Sequence, residues 1–111
     1  MADPRVKELK IKTGVVKRLV KERESYEKEA EQHATKVEKM KAEGGDEYVI
    51  RKAVEVLQET RQMVPDCTRR LQQAVDDLSR LTESSEKDLA ETEEFQTART
   101  QLTTAQAALK A

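Results

Sequence analysis

Between residues 46 and 82 an apolar repeat runs at alternating spacings of three and four, and it passes through a proline without losing phase. Its members are Ile50, Ala53, Leu57, Thr60, Val64, Cys67, Leu71, Ala74, Leu78 and Leu81. That spacing keeps one side of an α-helix against a partner along its whole length. The 37 residues would extend roughly 55 Å as a helix, well beyond the average globular helix, so such a rod needs neighbours. Pro65 would ordinarily end a helix, because its ring clashes with the carbonyl four residues back and it has no N–H to donate. With Val64 before it and Cys67 after it still in phase, the pattern predicts a kink inside a packed helix rather than a break.

Composition narrows the packing. The chain has 111 residues, 39% of them charged and 36% hydrophobic, with one Phe, two Tyr and no Trp. The core is therefore expected to be thin and aliphatic, as in a helix bundle within a single domain. The net charge of −1 hides a gradient. Residues 1–43 carry 12 basic and 9 acidic side chains, residues 44–82 carry 6 and 7, and residues 83–111 carry 3 and 6. Cys67 is the only cysteine, so an internal disulfide is impossible and a reducing compartment is expected. No apolar run approaches the roughly 18 residues of a membrane span, and the N-terminus lacks the apolar core of a signal peptide. A soluble, cytoplasmic protein without a membrane partner is the expectation.

Asp3-Pro4 reads as a capping side chain followed by proline at the first helical position, opening a helix over about 5–43. Its seam is Val6, Leu9, Thr13, Val16, Val20, Arg23, Glu27, Ala30, Ala34 and Val37. Beside it Leu19, Tyr26, His33 and Met40 recur every seven residues, while Ile11 and Val15 lie further round. Gly44-Gly45-Asp46 supplies a helix stop and then an N-cap, so the second helix, about 46–82, must run antiparallel to the first. A second turn is expected at Thr82–Ser85, with Ser85 and Asp88 resembling a capping box, and a third helix over about 86–110. The fold class predicted is all-α, an elongated antiparallel three-helix bundle (up-down-up) with helix two kinked at Pro65.

No enzymatic constellation emerges. Counted along the two helices, His33 and Cys67 fall roughly 16 Å apart, too far for a dyad. One His and one core Cys do not build a zinc site, and two glycines between helices are not a phosphate loop. Arg23 and Glu27 interrupt the seam at the level of Asp66 and Pro65. They read either as a register-fixing ionic layer or as a binding site. Residues 5–21 hold seven Lys or Arg against one acid, Glu8, but without interleaved aromatics or a reading helix they argue against nucleic acid and for a solvated face or an acidic protein partner.

Several stretches carry a more specific signal. Ile11-Lys12-Thr13-Gly14-Val15-Val16-Lys17-Arg18-Leu19-Val20-Lys21-Glu22, Tyr26-Glu27-Lys28-Glu29-Ala30, Val37-Glu38-Lys39-Met40-Lys41, Met63-Val64-Pro65-Asp66-Cys67 and the opening Met1-Ala2-Asp3-Pro4-Arg5-Val6 resemble the tubulin folding cofactor A (tubulin-specific chaperone A) family. The resemblance runs from residue 1 to about 82; the third helix matches mainly by position and acidic character, and is more polar than the family leads one to expect. It implies a monomeric three-helix bundle without enzymatic activity, cofactor or metal. The implied role is to hold quasi-native β-tubulin after its release from the cytosolic chaperonin, with other tubulin folding cofactors acting downstream on the way to the αβ heterodimer, in the cytoplasm and associated with the cytoskeleton. A structural spacer or adaptor of the spectrin-repeat type is the alternative, although such repeats occur in tandem with aromatic core anchors.

Two partner-binding surfaces are expected. One is the basic face of Lys7, Lys10, Lys12, Lys17, Arg18 and Lys21. The other follows from helix lengths: with a turn near residue 84, helix three would end at the level of residue 56. That leaves a two-helix tip about 15 Å long, on which Val37, Met40, Tyr48 and Val49 would keep apolar surface accessible.

Overall fold

The computed structural model describes residues 3–110, which form three α-helices and no strand: α1 (Pro4–Ala42), α2 (Glu47–Leu89) and α3 (Glu93–Lys110). The all-α, up-down-up antiparallel bundle expected from the seams is the fold found. α2 runs on through Pro65. By packing, the chain divides into two compact units, one joining the residues up to Lys21 with those from Thr68 onward, the other Glu22–Cys67.

The first unit holds the core. Leu9, Val16, Leu19 and Val20 of α1, Leu71, Ala74, Val75, Leu78 and Leu89 of α2, and Phe95, Ala98, Leu102 and Ala105 of α3 form one buried cluster. Three helices enclose it because α2 offers two rows at once: Leu71 and Leu78 on the seam, and Val75, Thr82 and Leu89 beside it, all buried. A two-row stripe is what lets one helix face two neighbours.

The second turn lies elsewhere than the local signals suggest. α2 does not stop at Thr82; it continues to Leu89, and α3 begins at Glu93 rather than near 86. Thr82, Ser85 and Leu89 prolong the buried rows. Their hydroxyls are satisfied within the helix, Thr82 Oγ1 donating to the Ser79 carbonyl (2.8 Å) and Ser85 Oγ to that of Leu81 (2.6 Å), the back-bonding open to Ser and Thr in helices. Ser85 is thus a core residue and not a cap. The cap is Thr92, whose Oγ1 accepts the Phe95 N–H (3.2 Å), with Glu93 and Glu94 in the favoured first turn.

The later turn shortens the third helix's reach. Leu109 and Lys110 line a groove with Gln72, Val75 and Asp76, so α3 ends at about the level of residue 72, not 56. The unit Glu22–Cys67 accordingly contains two helices only, and the two-helix segment is about twice the length expected.

Candidate partner-binding surface

The second unit is a hairpin closed by local chemistry. Gly45 N–H donates to the Met40 carbonyl (3.0 Å) and Gly44 N–H to that of Lys41 (3.2 Å), the paired bonds of a Schellman stop. Gly44 sits at φ 68°, in the left-handed region a side chain would strain. Asp46 Oδ1 then accepts the N–H groups of Tyr48 (2.8 Å) and Val49 (3.2 Å), capping α2. A turn centred on Gly44-Gly45 sets residue i of α1 level with about residue 89 − i of α2.

Two helices cannot hide both rows of a two-row stripe. Among the described apolar residues of this unit only Val37, Leu57 and Cys67 are buried. Val37, expected as accessible surface, is 5% exposed; it belongs to the seam, where the partner helix covers it. Ala30, Ala34, Ile50, Ala53 and Val64 complete the seam half-buried. Arg23, on the same seam, pairs along its own helix with Glu27 (Nε to Oε1, 3.6 Å).

The rows flanking the seam differ in kind. A two-fold axis normal to the plane relates the members of an antiparallel pair, so the residue preceding each seam position lies on the same side of both helices. On that side stand Tyr26, His33 and Met40 of α1 and Met63, Val56 and Val49 of α2, at matching levels. None of the six is buried, and Val49 and Val56 are 49% and 43% exposed. The opposite flanks carry Glu24, Glu31 and Glu38 on α1 and Glu47, Val54 and Arg61 on α2. One side of the hairpin is therefore a mostly apolar stripe about 21 Å long, broken at its middle by His33, the other a largely acidic face. Tyr48 is 63% exposed but points away from the seam, its ring 5.5 Å from Lys52 Nζ. The row of Tyr26, His33 and Met40 is legible in the sequence, and Met40 and Val49 are among the expected partner residues. Val56 and Met63 are not singled out there, although the recurrence 49-56-63 mirrors 26-33-40 about the turn.

The basic residues lie in the first unit and do not form one face. At 100° per residue, Lys7, Lys10, Lys17, Arg18 and Lys21 share one side of α1, and all five are exposed. Lys12 lies round the helix, half-buried, in a groove of about 380 Å³ with Ile11, Val15, Leu19, Arg70 and Asp77. Ile11, outside the seam, is 57% exposed there. Lys10 borders the acidic start of α3, sharing a groove with Glu93, Glu94 and Thr97. Among the described residues no group of three His, Cys, Asp or Glu could hold a metal ion, and no helix is long and apolar enough to cross a membrane.

Comparison with known proteins places this geometry. Residues 4–102 match the family model described as tubulin binding cofactor A. The Mus musculus tubulin-specific chaperone A is 63% identical over 99 residues, covering 89% of this chain and 91% of that protein, and the Arabidopsis thaliana tubulin-folding cofactor A is 46% identical over 95 residues, covering 85% and 84%. Among solved structures, human tubulin chaperone cofactor a superposes with a TM-score of 0.80 at 57% identity, over 93% of this chain and 99% of that one. Tubulin folding cofactor A from Arabidopsis thaliana gives 0.85 at 39% identity, over 93% and 96%. With its three helices, its apolar seams and matches of this extent, the chain belongs to the tubulin binding cofactor A family.

Proposed function

We propose that this chain is a tubulin-folding cofactor that binds β-tubulin as a monomer and holds it in a quasi-native state, passing it to other tubulin folding cofactors on the way to the αβ heterodimer, in the cytoplasm and without catalysis. The names of its relatives support tubulin as the client. The observation that carries the reading is the apolar stripe of the hairpin: Met40, Val49 and Val56 stand partly exposed in rows that a two-helix unit cannot cover. Contiguous apolar surface of this kind marks partner sites, and methionines at 40 and 63 adapt to an imperfectly formed client surface. The five-residue basic face of α1 adds attraction toward an acidic protein, acting chiefly on the rate of encounter.

The test is capture of purified β-tubulin, read as a co-migrating band on native gels and in gel filtration. Met40→Ser combined with Val49→Ser should weaken capture while leaving the helical circular dichroism in place. Undiminished capture by the folded double variant would remove the stripe from the mechanism. Failure of the unmodified chain to bind β-tubulin at all would leave the spacer reading in its stead.

A further inference from the structure

The stripe specifies more than a preference for apolar surface. Its two edges are formed by the next rows outward, Glu22, Glu29, Lys36 and Glu43 on α1 and Lys52, Glu59 and Asp66 on α2. Measured from the His33–Val56 level, Lys36 and Lys52 lie three and four residues toward the turn, and Glu29 and Glu59 lie four and three residues away from it. Cations thus flank the stripe on its turn half and anions on its open half. Glu43, at the turn itself, is the exception. All four flanking side chains are exposed; Lys52 Nζ, 3.5 Å from Glu55 and 5.5 Å from the Tyr48 ring centroid, is drawn against its own helix yet keeps about half of its side chain in solvent. An apolar stripe between two parallel rows of charged side chains is a surface along which a third helix can pack.

We propose that the occupant of the stripe is a single amphipathic helix of the client, about 14 residues in contact, lying along the hairpin with a defined polarity; the inference rests on the β-tubulin reading above. Two electrostatic effects set the same direction. The positive N-terminal end of a docked helix is favoured beside Glu29 and Glu59, and its negative C-terminal end beside Lys36 and Lys52. Flanking side chains of the guest complement the ridges when Lys or Arg occupy its first half and Asp or Glu its second. The guest therefore runs parallel to α1 and opposite to α2. Its own apolar residues recur at three-four spacing, so that they fall between the Tyr26–Met63, His33–Val56 and Met40–Val49 levels. A uniformly acidic or uniformly basic helix would leave one half of the stripe facing like charge.

The probes are two acetylated, amidated 18-residue synthetic peptides with the same leucine seam, hydrocarbon-stapled on the solvent side to equalise helicity. One carries lysines in its first half and glutamates in its second; the other has the order reversed. Fluorescence anisotropy with the full chain should favour the basic-first peptide by about tenfold, the sum expected of four exposed charge pairs. A chain carrying Lys36→Glu, Lys52→Glu, Glu29→Lys and Glu59→Lys should invert the preference at unchanged helicity. Equal binding of both peptides, or of neither, while Met40→Ser with Val56→Ser still abolishes β-tubulin capture, would overturn the helix inference and leave the client reading standing. If instead the stripe variants leave capture intact, the client reading of the stripe falls first. A concentration-dependent dimer in sedimentation that disappears in the stripe variants, without peptide binding, would make a second copy the occupant and likewise overturn the proposal.

Discussion

Arg5 Nη2 lies 3.1 Å from Asp88 Oδ2 and 2.7 Å from Asp3 Oδ2. One guanidinium therefore ties the cap of α1 to the last turn of α2. Asp88, which in sequence looks like the acidic member of a capping box three residues after Ser85, is instead the tertiary partner of a residue 83 positions away.

The tie makes an acid-side prediction. The Asp3 carboxylate accepts from the Arg5 side chain and from its backbone N–H, and these bonds hold its pKa at about 2, below the ordinary 3.8; the same contact raises that of Arg5. A carboxylate whose pKa falls on folding adds stability above its unfolded value and loses it as pH drops through its folded one. Thermal unfolding should therefore lose this contribution between pH 4 and about 2. Asp3→Asn should flatten the melting temperature over that window and leave its shape above pH 5 unchanged.

The second turn can be tested by a pair of alanines. Thr92→Ala removes the cap of α3 and should cost about 1 kcal/mol in urea unfolding. Ser84→Ala deletes an exposed hydroxyl that only back-bonds to the Leu81 carbonyl and should stay within about 0.5 kcal/mol. The opposite ranking would place the helix break back near residue 84.

Burial is uneven between the two units, and stability should follow it. Leu78 is fully enclosed by α1, α2 and α3, and Leu78→Ala should cost about 3 kcal/mol. Ile50, half-buried in the hairpin, should cost about 1 kcal/mol when truncated to Ala. Native-state hydrogen exchange should find amides of 22–67 opening at lower free energy than those of 68–89, because fewer buried contacts hold them. Uniform protection along α2 would contradict this.

The basic residues should separate by position. Charge reversal at Lys17 and Lys21, on the shared face, should slow association with β-tubulin and flatten its dependence on ionic strength, since the attraction is screened over about 8–10 Å. Lys12, which lines the groove on the other side of α1 that Asp77 also lines, should contribute less. Equal effects at Lys12 and Lys17 would mean that the face is not what the client senses.

Sequence alone determined the features whose physics is local or periodic. The three-four spacing from Ile50 to Leu81 carried α2 through Pro65, because a seam in phase on both sides of the proline rewards continuation. Gly44-Gly45-Asp46 marked the first turn, because a left-handed stop and an Asp cap depend on a few adjacent residues. The second turn was another matter. Ser and Thr hydroxyls serve equally well as caps or as donors to their own helix, and only packing against the rest of the core chose the second role for Thr82 and Ser85. That choice moved α3 seven residues along and left Glu22–Cys67 as a bare pair of helices. It left Val56 and Met63 half-open, since which row of a two-row stripe meets water depends on how many helices surround it, a number no single helix encodes; Val37 is buried because it sits on the seam itself, under the partner helix.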